Sequence, residues 1–301
     1  MKLRKQFLLL VGVPTIALLV LAGYSASSLK VEGNNSERFS ALAKLSVFTS
    51  QTVHELQKER GASAGFIGSR GLKFGSIVSQ QRKTTDQKLS ALNEHLSSFD
   101  ETLFAPALGE TLSNYRSEYL QLNKKRASVD QLSISVPDQV RYYTGLNTLL
   151  LGISDELGRY SPTGEIANTG TAFGTFVQSK ERAVLERAIL SNAFSQKKFT
   201  NGGFRKFTDL VNTQAVYLEV FSSNANPSML DALVEAQRDA SFDDVERMRR
   251  MAIDASETGR FTIDPEVWFK TITVKIGKLK EVENLLLDIV LQAAEVQAIQ
   301  K

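Results

Sequence analysis

The sequence of 301 residues has no cysteine, two histidines, one tryptophan and six prolines. Without cysteine there are no disulfide staples and no thiolate metal sites, so stability has to come from buried apolar surface. His54 and His95 fall on different predicted helices and in no metal-ligand spacing. Metal catalysis therefore has no ligand set, and neither a metal nor a cofactor is expected. A P-loop and a Gly-x-Gly-x-x-Gly are both missing, and the glycines from Gly68 to Gly75 are too sparse to cradle phosphates. No enzyme activity is expected. Val/Ile/Thr alternation bounded by turns is nearly absent, which leaves a sheet without support. The formal charge of +3 is too small to mark a nucleic-acid binder, so no nucleic-acid partner is expected either.

Long apolar runs are also scarce, with one exception. No charged residue occurs from Gln6 to Leu29, and residues 7–24 are almost continuously apolar, against the roughly 20 residues needed to cross a bilayer. Lys2, Arg4 and Lys5 precede the run, so the positive-inside rule places residues 1–6 in the cytoplasm and everything after Lys30 outside. Residues 7–28 are read as an uncleaved transmembrane anchor. The alternative is a cleaved signal peptide ending at Ser25-Ala26-Ser27, shorter in its apolar core than this run. Either way residues 29–301 are expected in the periplasm, and with the anchor uncleaved they are held at a bacterial inner membrane.

What the exported part does have is helical periodicity. The 3.6-residue pattern covers 36–69, 73–98, 102–128, 137–159, 166–199, 203–223, 227–257 and 265–301. Asn226-Pro227 and Asp264-Pro265 each set an N-cap residue before a proline at the first helical position, and Val136-Pro137-Asp138 opens another helix. The predicted fold is all-α, about eight helices in two four-helix bundles behind the transmembrane helix. The Gly/Ser/Thr/Asn-rich stretch 160–174 is the expected junction between bundles. The last helix, amphipathic and still carrying Asp288 and Glu295, stops at Lys301 without a cap. The native sequence is thus expected to continue into a second membrane span and a cytoplasmic signalling module.

Arginines interrupt the apolar stripes. Leu42, Ser46, Thr49, Val53, Leu56, Arg60, Ser63 and Ile67 form one helix face that is small or apolar except at Arg60. Phe173, Val177, Lys180, Val184, Arg187, Ser191 and Phe194 form another, with Arg187 on it. Both arginines follow a glutamate and precede small residues, which let a neighbour approach the backbone closely. Arg249 shares a face with Phe242, Val245 and Ala252, while Arg250 falls with Glu246 and Asp243. A guanidinium on an inward stripe needs a partner, either an internal carboxylate or a bound anion. Planar forks suit a small planar oxyanion. Arg60, Arg187, Arg249 and Ser63 are the candidate ligand-binding residues. Trp268, Met248 and Met251 read as core.

The run from Val53 to Gly61, then Ser63-Ala64-Gly65-Phe66, Gln81-Arg82 and Thr85-Asp86, resembles the opening of the nitrate- and nitrite-sensing (NIT) domain family. Lys180-Glu181, Glu186-Arg187-Ala188, Trp268-Phe269, Thr273, Lys275-Ile276 and Val282-Glu283 are similar to its central and C-terminal signatures. The combination and spacing carry the likeness, over about residues 40–290. The resemblance implies a pair of four-helix bundles that binds nitrate or nitrite through arginines, Arg60 and Arg187 matching most directly. It also implies a sensor module of the kind found in chemoreceptors, histidine kinases or transcription antiterminators; with the apolar run at 7–28, a homodimeric membrane receptor such as a methyl-accepting chemotaxis protein, signalling by helix displacement, is expected. Two alternatives stand beside it: a structural helical dimerisation module whose arginines are internal ion pairs, and a sensor of another small anion.

Overall fold

A computed structural model describes residues 2–257 and 259–299, the side chains of 2–12, 26–30, 32, 298 and 299 excepted. Among the described residues all regular structure is helical: α1 (Lys2–Gly68), α2 (Gly75–Ser97), a 3₁₀ turn (Glu101–Leu103), α3 (Pro106–Tyr119), α4 (Leu122–Asp130), α5 (Val136–Asp155), α6 (Gly164–Gln196), α7 (Gly203–Asn224), α8 (Pro227–Gln237), α9 (Ala240–Asp254) and α10 (Pro265–Ile299). The third and seventh predicted helices are each broken in two, at Leu120-Gln121 and at Arg238-Asp239. At the second break the Asp239 carboxylate caps the backbone N–H of Ser241, a local bond that competes with helix continuation. The proline-led starts hold: Asn226 accepts from the Met229 N–H, Ser135 from Asp138 and Asp264 from Glu266.

The C-terminal part of α1 packs with α2, the α3–α4 pair and α5 as one bundle. Helices α6, α7, the α8–α9 pair and α10 form the second. The bundles lie side by side, α1 against α10 and α5 against α6, over one continuous apolar core.

The stretch 160–174 is not the loop its composition suggests, because α6 already begins at Gly164, capped by Thr163. The glycines there serve packing. A Cβ on Gly170 would lie 2.9 Å from the Leu157 carbonyl carbon and the Gly158 nitrogen, and one on Gly174 would lie 3.2 Å from the Ser154 carbonyl oxygen. These two glycines let the start of α6 press against the end of α5.

The N-terminal part of α1 stands clear of the bundles, with Val13, Ile16, Leu18, Leu19, Val20 and Leu21 exposed. Among the described residues no helix is long and apolar enough to cross a membrane. The anchor expected at 7–28 is not supported, and its residues 7–12 and 26–28 lie outside the described side chains.

Candidate functional site

The seam between the bundles is polar where the two Glu-Arg pairs meet. Glu59 and Arg60 sit on α1, Glu186 and Arg187 on α6, and successive residues on a helix point about 100° apart. Each glutamate therefore turns into its own bundle while the arginine after it turns to the seam.

The two halves are built alike. In the first bundle Arg126 of α4 grips Glu59 with Nε (2.7 Å) and Nη2 (2.8 Å), and Tyr143 donates to the same carboxylate (2.7 Å). In the second, Arg249 of α9 grips Glu186 with Nε (2.7 Å) and Nη2 (2.6 Å), and Gln214 donates to it (2.8 Å). Arg60 donates through Nη1 to Thr144 Oγ1 of α5 (2.8 Å), and Arg187 through Nη1 to Thr273 Oγ1 of α10 (3.0 Å). Gln139 of α5 donates to the Arg60 carbonyl (3.2 Å) and the Trp268 indole of α10 to the Arg187 carbonyl (3.1 Å). Both threonines and both carbonyl ties thus come from matching places on the last helix of each bundle.

One element is unmatched. Glu181 of α6 reaches across the seam, accepting from Arg60 Nη1 (2.7 Å) and Nη2 (3.3 Å) and from Gln57 Nε2 (2.6 Å). Arg60 and Glu181 are both almost wholly buried, at 4% and 3% side-chain exposure. Arg187 makes no ion pair among the described residues. It is partly buried, its guanidinium lies 4.9 Å over the Phe269 ring, and its Nη2 would be 3.7 Å from a Cβ on Gly61. Burial, then the like charge of Arg60, bring the Arg187 pKa down to about 10, with Glu181 pulling the other way.

The sequence-predicted residues therefore divide. Arg60 and Arg187 come together at the seam, and Ser63, one turn beyond Arg60, is fully buried with its hydroxyl unpartnered. Arg249 does not join them. It sits on the stripe with Val245 and Ala252, but its fork is closed on Glu186 and Gln214, with Glu246 at 3.3 Å. Glu181, Gln57, Thr144 and Thr273 are the members that stripe reasoning passes over. For Thr144 and Thr273 the signal was the paired Glu-Arg dipeptides, which mark two similar halves whose last helices should supply equivalent partners; the dipeptides do not point to Glu181 and Gln57, on α6 and α1.

Below this layer a second polar cluster crosses the seam. Glu283 of α10 pairs with Lys180 of α6 and with Lys280 (2.8 Å), and Ser50 of α1 donates to it. Burial opposes the Glu283 charge, but the two lysines outweigh it and hold the carboxyl down to about 2. His54 beside it is driven down to about 3, by burial first and then by Lys180, Lys58 and Lys280 against the opposing Glu283. A base with a depressed folded pKa leaves the unfolded chain holding the extra proton, so this contribution is complete above about pH 6.5 and is lost as pH falls toward 3. For His54→Gln we expect a flatter fall in the unfolding free energy, read from denaturant titrations between pH 7 and 4, by up to about 1.4 kcal/mol per pH unit. A slope equal to that of the wild type would refute the assignment.

Fold and site together define a class: an all-helical double-bundle domain with a cationic layer between the bundles. Residues 51–291 match the family model described as nitrate and nitrite sensing, and the chain belongs to that family. It is 26% identical over 246 residues to the "Nitrate regulatory protein" of Klebsiella oxytoca, covering 82% of this chain and 61% of that one. The chain thus spans about three-fifths of that curated relative. The solved structure of the NasR transcription antiterminator has the same fold, with a TM-score of 0.80 at 23% identity over 92% of this chain and 74% of that one.

These relatives correct the expected setting. A nitrate regulatory protein and a transcription antiterminator stand where a membrane chemoreceptor with a periplasmic sensor was expected, and no described helix can span a membrane. Likeness to the solved structure of a transcription antiterminator also overturns the exclusion of a nucleic-acid partner, which rested on the small net charge and on the expected location outside the cytoplasm. Net charge averages the whole chain and says nothing about partners outside the sequence compared. The membrane reading failed because hydropathy of one segment was extended to the architecture of the whole protein.

Proposed function

We propose that the chain is the nitrate- and nitrite-sensing module of a regulatory protein, holding one planar oxyanion between Arg60 of α1 and Arg187 of α6. The observation that carries this reading is Arg187, a guanidinium set close to a second one and paired with no carboxylate among the described residues. An unpaired cation in such a place costs stability unless an anion joins it. The partial exposure of Arg187 gives a route in from solvent, and Gly61 leaves the backbone of α1 open to close approach. Ser63 supplies a further unspent donor nearby on α1. The purely structural reading fits Arg60, which has Glu181, and fits Arg249, which has Glu186; it leaves Arg187 without a reason.

The anion would draw α1 and α6, one from each bundle, toward a single ligand. A ligand shifts an equilibrium only by its differential affinity for two states, so the signal is a change in how the bundles sit across the seam. The names of the relatives suggest the output, control of gene expression in response to nitrate or nitrite. Calorimetric titration of the protein with nitrate, nitrite, chloride and acetate tests the reading. Saturable binding of nitrate or nitrite at one site per chain, with chloride and acetate at least about tenfold weaker, is the expected result. No saturable binding of either oxyanion to the fully helical protein would remove the reading.

A further inference from the structure

Resting on that reading, the geometry points to Glu181 as a specificity-determining residue: we infer that it sets the charge of the seam so that the site takes a singly charged oxyanion and rejects a doubly charged one. The inference follows from the unmatched member of two otherwise matched halves. Glu59 is closed by Arg126 and Glu186 by Arg249 within their own bundles, while Glu283 meets buried Lys180 and the part-exposed Lys280 in the layer below, so none of these carboxylates is left to offset the arginines at the seam. Among the described residues, what remains at the seam is two guanidiniums, Arg60 and Arg187, and one carboxylate, Glu181, a formal charge of +1. Six residues before Arg60, where the first half would place an equivalent of Glu181, stands His54. Its burial and lysine neighbours keep it neutral at ordinary pH, so it adds nothing to the count.

A nitrate or nitrite ion brings this layer to neutrality. A sulfate would leave a buried net negative charge beside a fixed carboxylate, and burying an unbalanced charge is strongly unfavourable. Glu181 is also not free to swing away, since Gln57 and both terminal nitrogens of Arg60 hold it. Coulomb repulsion from a fixed carboxylate scales with ligand charge, so Glu181 penalises a dianion twice as much as a monoanion at the same distance. Size and planarity alone would also favour nitrate. Only the charge argument depends on residue 181.

The test measures nitrate and sulfate dissociation constants on wild type, Glu181→Gln and Glu181→Asp at one pH and one ionic strength, because screening alters both. Wild type should bind nitrate and not sulfate. Glu181→Gln, which keeps the shape and loses the charge, should gain sulfate affinity relative to nitrate by about tenfold or more. Glu181→Asp, which keeps the charge, should retain the wild-type preference. An unchanged nitrate-to-sulfate ratio in Glu181→Gln, or an equal gain of sulfate in Glu181→Asp, would overturn the inference while leaving the arginine site intact. Should Glu181→Gln fail to fold, the wild type decides: sulfate binding as tightly as nitrate overturns the inference. Loss of nitrate binding by the wild type itself would remove the site reading, and this inference with it.

Discussion

Arg187→Ala is expected to lower nitrate affinity by about 10–150-fold, the worth of a charge-assisted hydrogen bond of about 1.5–3 kcal/mol, and to leave the anion-free protein at least as stable as before. Arg60→Ala should lower affinity by a similar factor but also destabilise the anion-free protein by about 3–5 kcal/mol. The two arginines look alike in sequence, and the difference comes from their partners. Arg60 is the counter-charge of Glu181, so its loss strands a buried carboxylate with only Gln57 to satisfy it. Arg187 has a threonine hydroxyl and the face of Phe269, and its depressed pKa of about 10 shows that the fold carries its charge at a cost. Removing that charge relieves repulsion on Arg60. Nitrate titration and thermal melting in anion-free buffer separate the cases. Wild-type affinity in both variants would sink the site, and a loss of stability in Arg187→Ala as large as that in Arg60→Ala would make Arg187 a structural residue.

Much of this architecture was legible in the sequence, for local reasons. Helix starts at Asn226-Pro227, Asp264-Pro265 and Val136-Pro137 depend on capping chemistry within four residues, and the structure keeps them. The stripe holding Arg60 was readable because leucine, valine and serine recur at helical spacing around it. Gly170 and Gly174 misled, since small residues mark both loops and close helix contacts, and only the approach of Leu157 and Ser154 distinguishes the two. Arg249 shows the same limit. Its stripe position is real, but whether a buried fork meets a ligand or a carboxylate depends on Glu186, 63 residues away in sequence. The role of Glu181 stayed hidden, although Lys180-Glu181 carries part of the family likeness, because no local pattern distinguishes it from the solvated glutamates of the other helices. Its meaning lies in Arg60, on a helix from the other bundle.

Arg249 is where the sequence reading and the geometry can be set against each other. Arg249→Ala should cost about 3–5 kcal/mol, because Glu186 is wholly buried and would keep only Gln214 as a hydrogen-bond partner. Any accompanying loss of nitrate binding would be ambiguous, since a loosened α6 also carries Arg187. The double variant Glu186→Gln with Arg249→Met removes the ambiguity. It replaces a buried ion pair by neutral side chains of similar volume, an exchange that is often neutral or stabilising. Glutamine at 186 can still bond to Gln214. Lys275, lowered to about 8 by burial and then by Arg249 against the pull of Glu186 and Glu246, loses one like and one opposite charge together, so its balance changes little. The double variant should therefore regain most of the melting temperature lost in Arg249→Ala and bind nitrate within about threefold of wild type, a difference under 1 kcal/mol. A double variant that melts like wild type yet loses nitrate by tenfold or more would show that Arg249 reaches the ligand, and that the clamp on Glu186 opens when the anion binds.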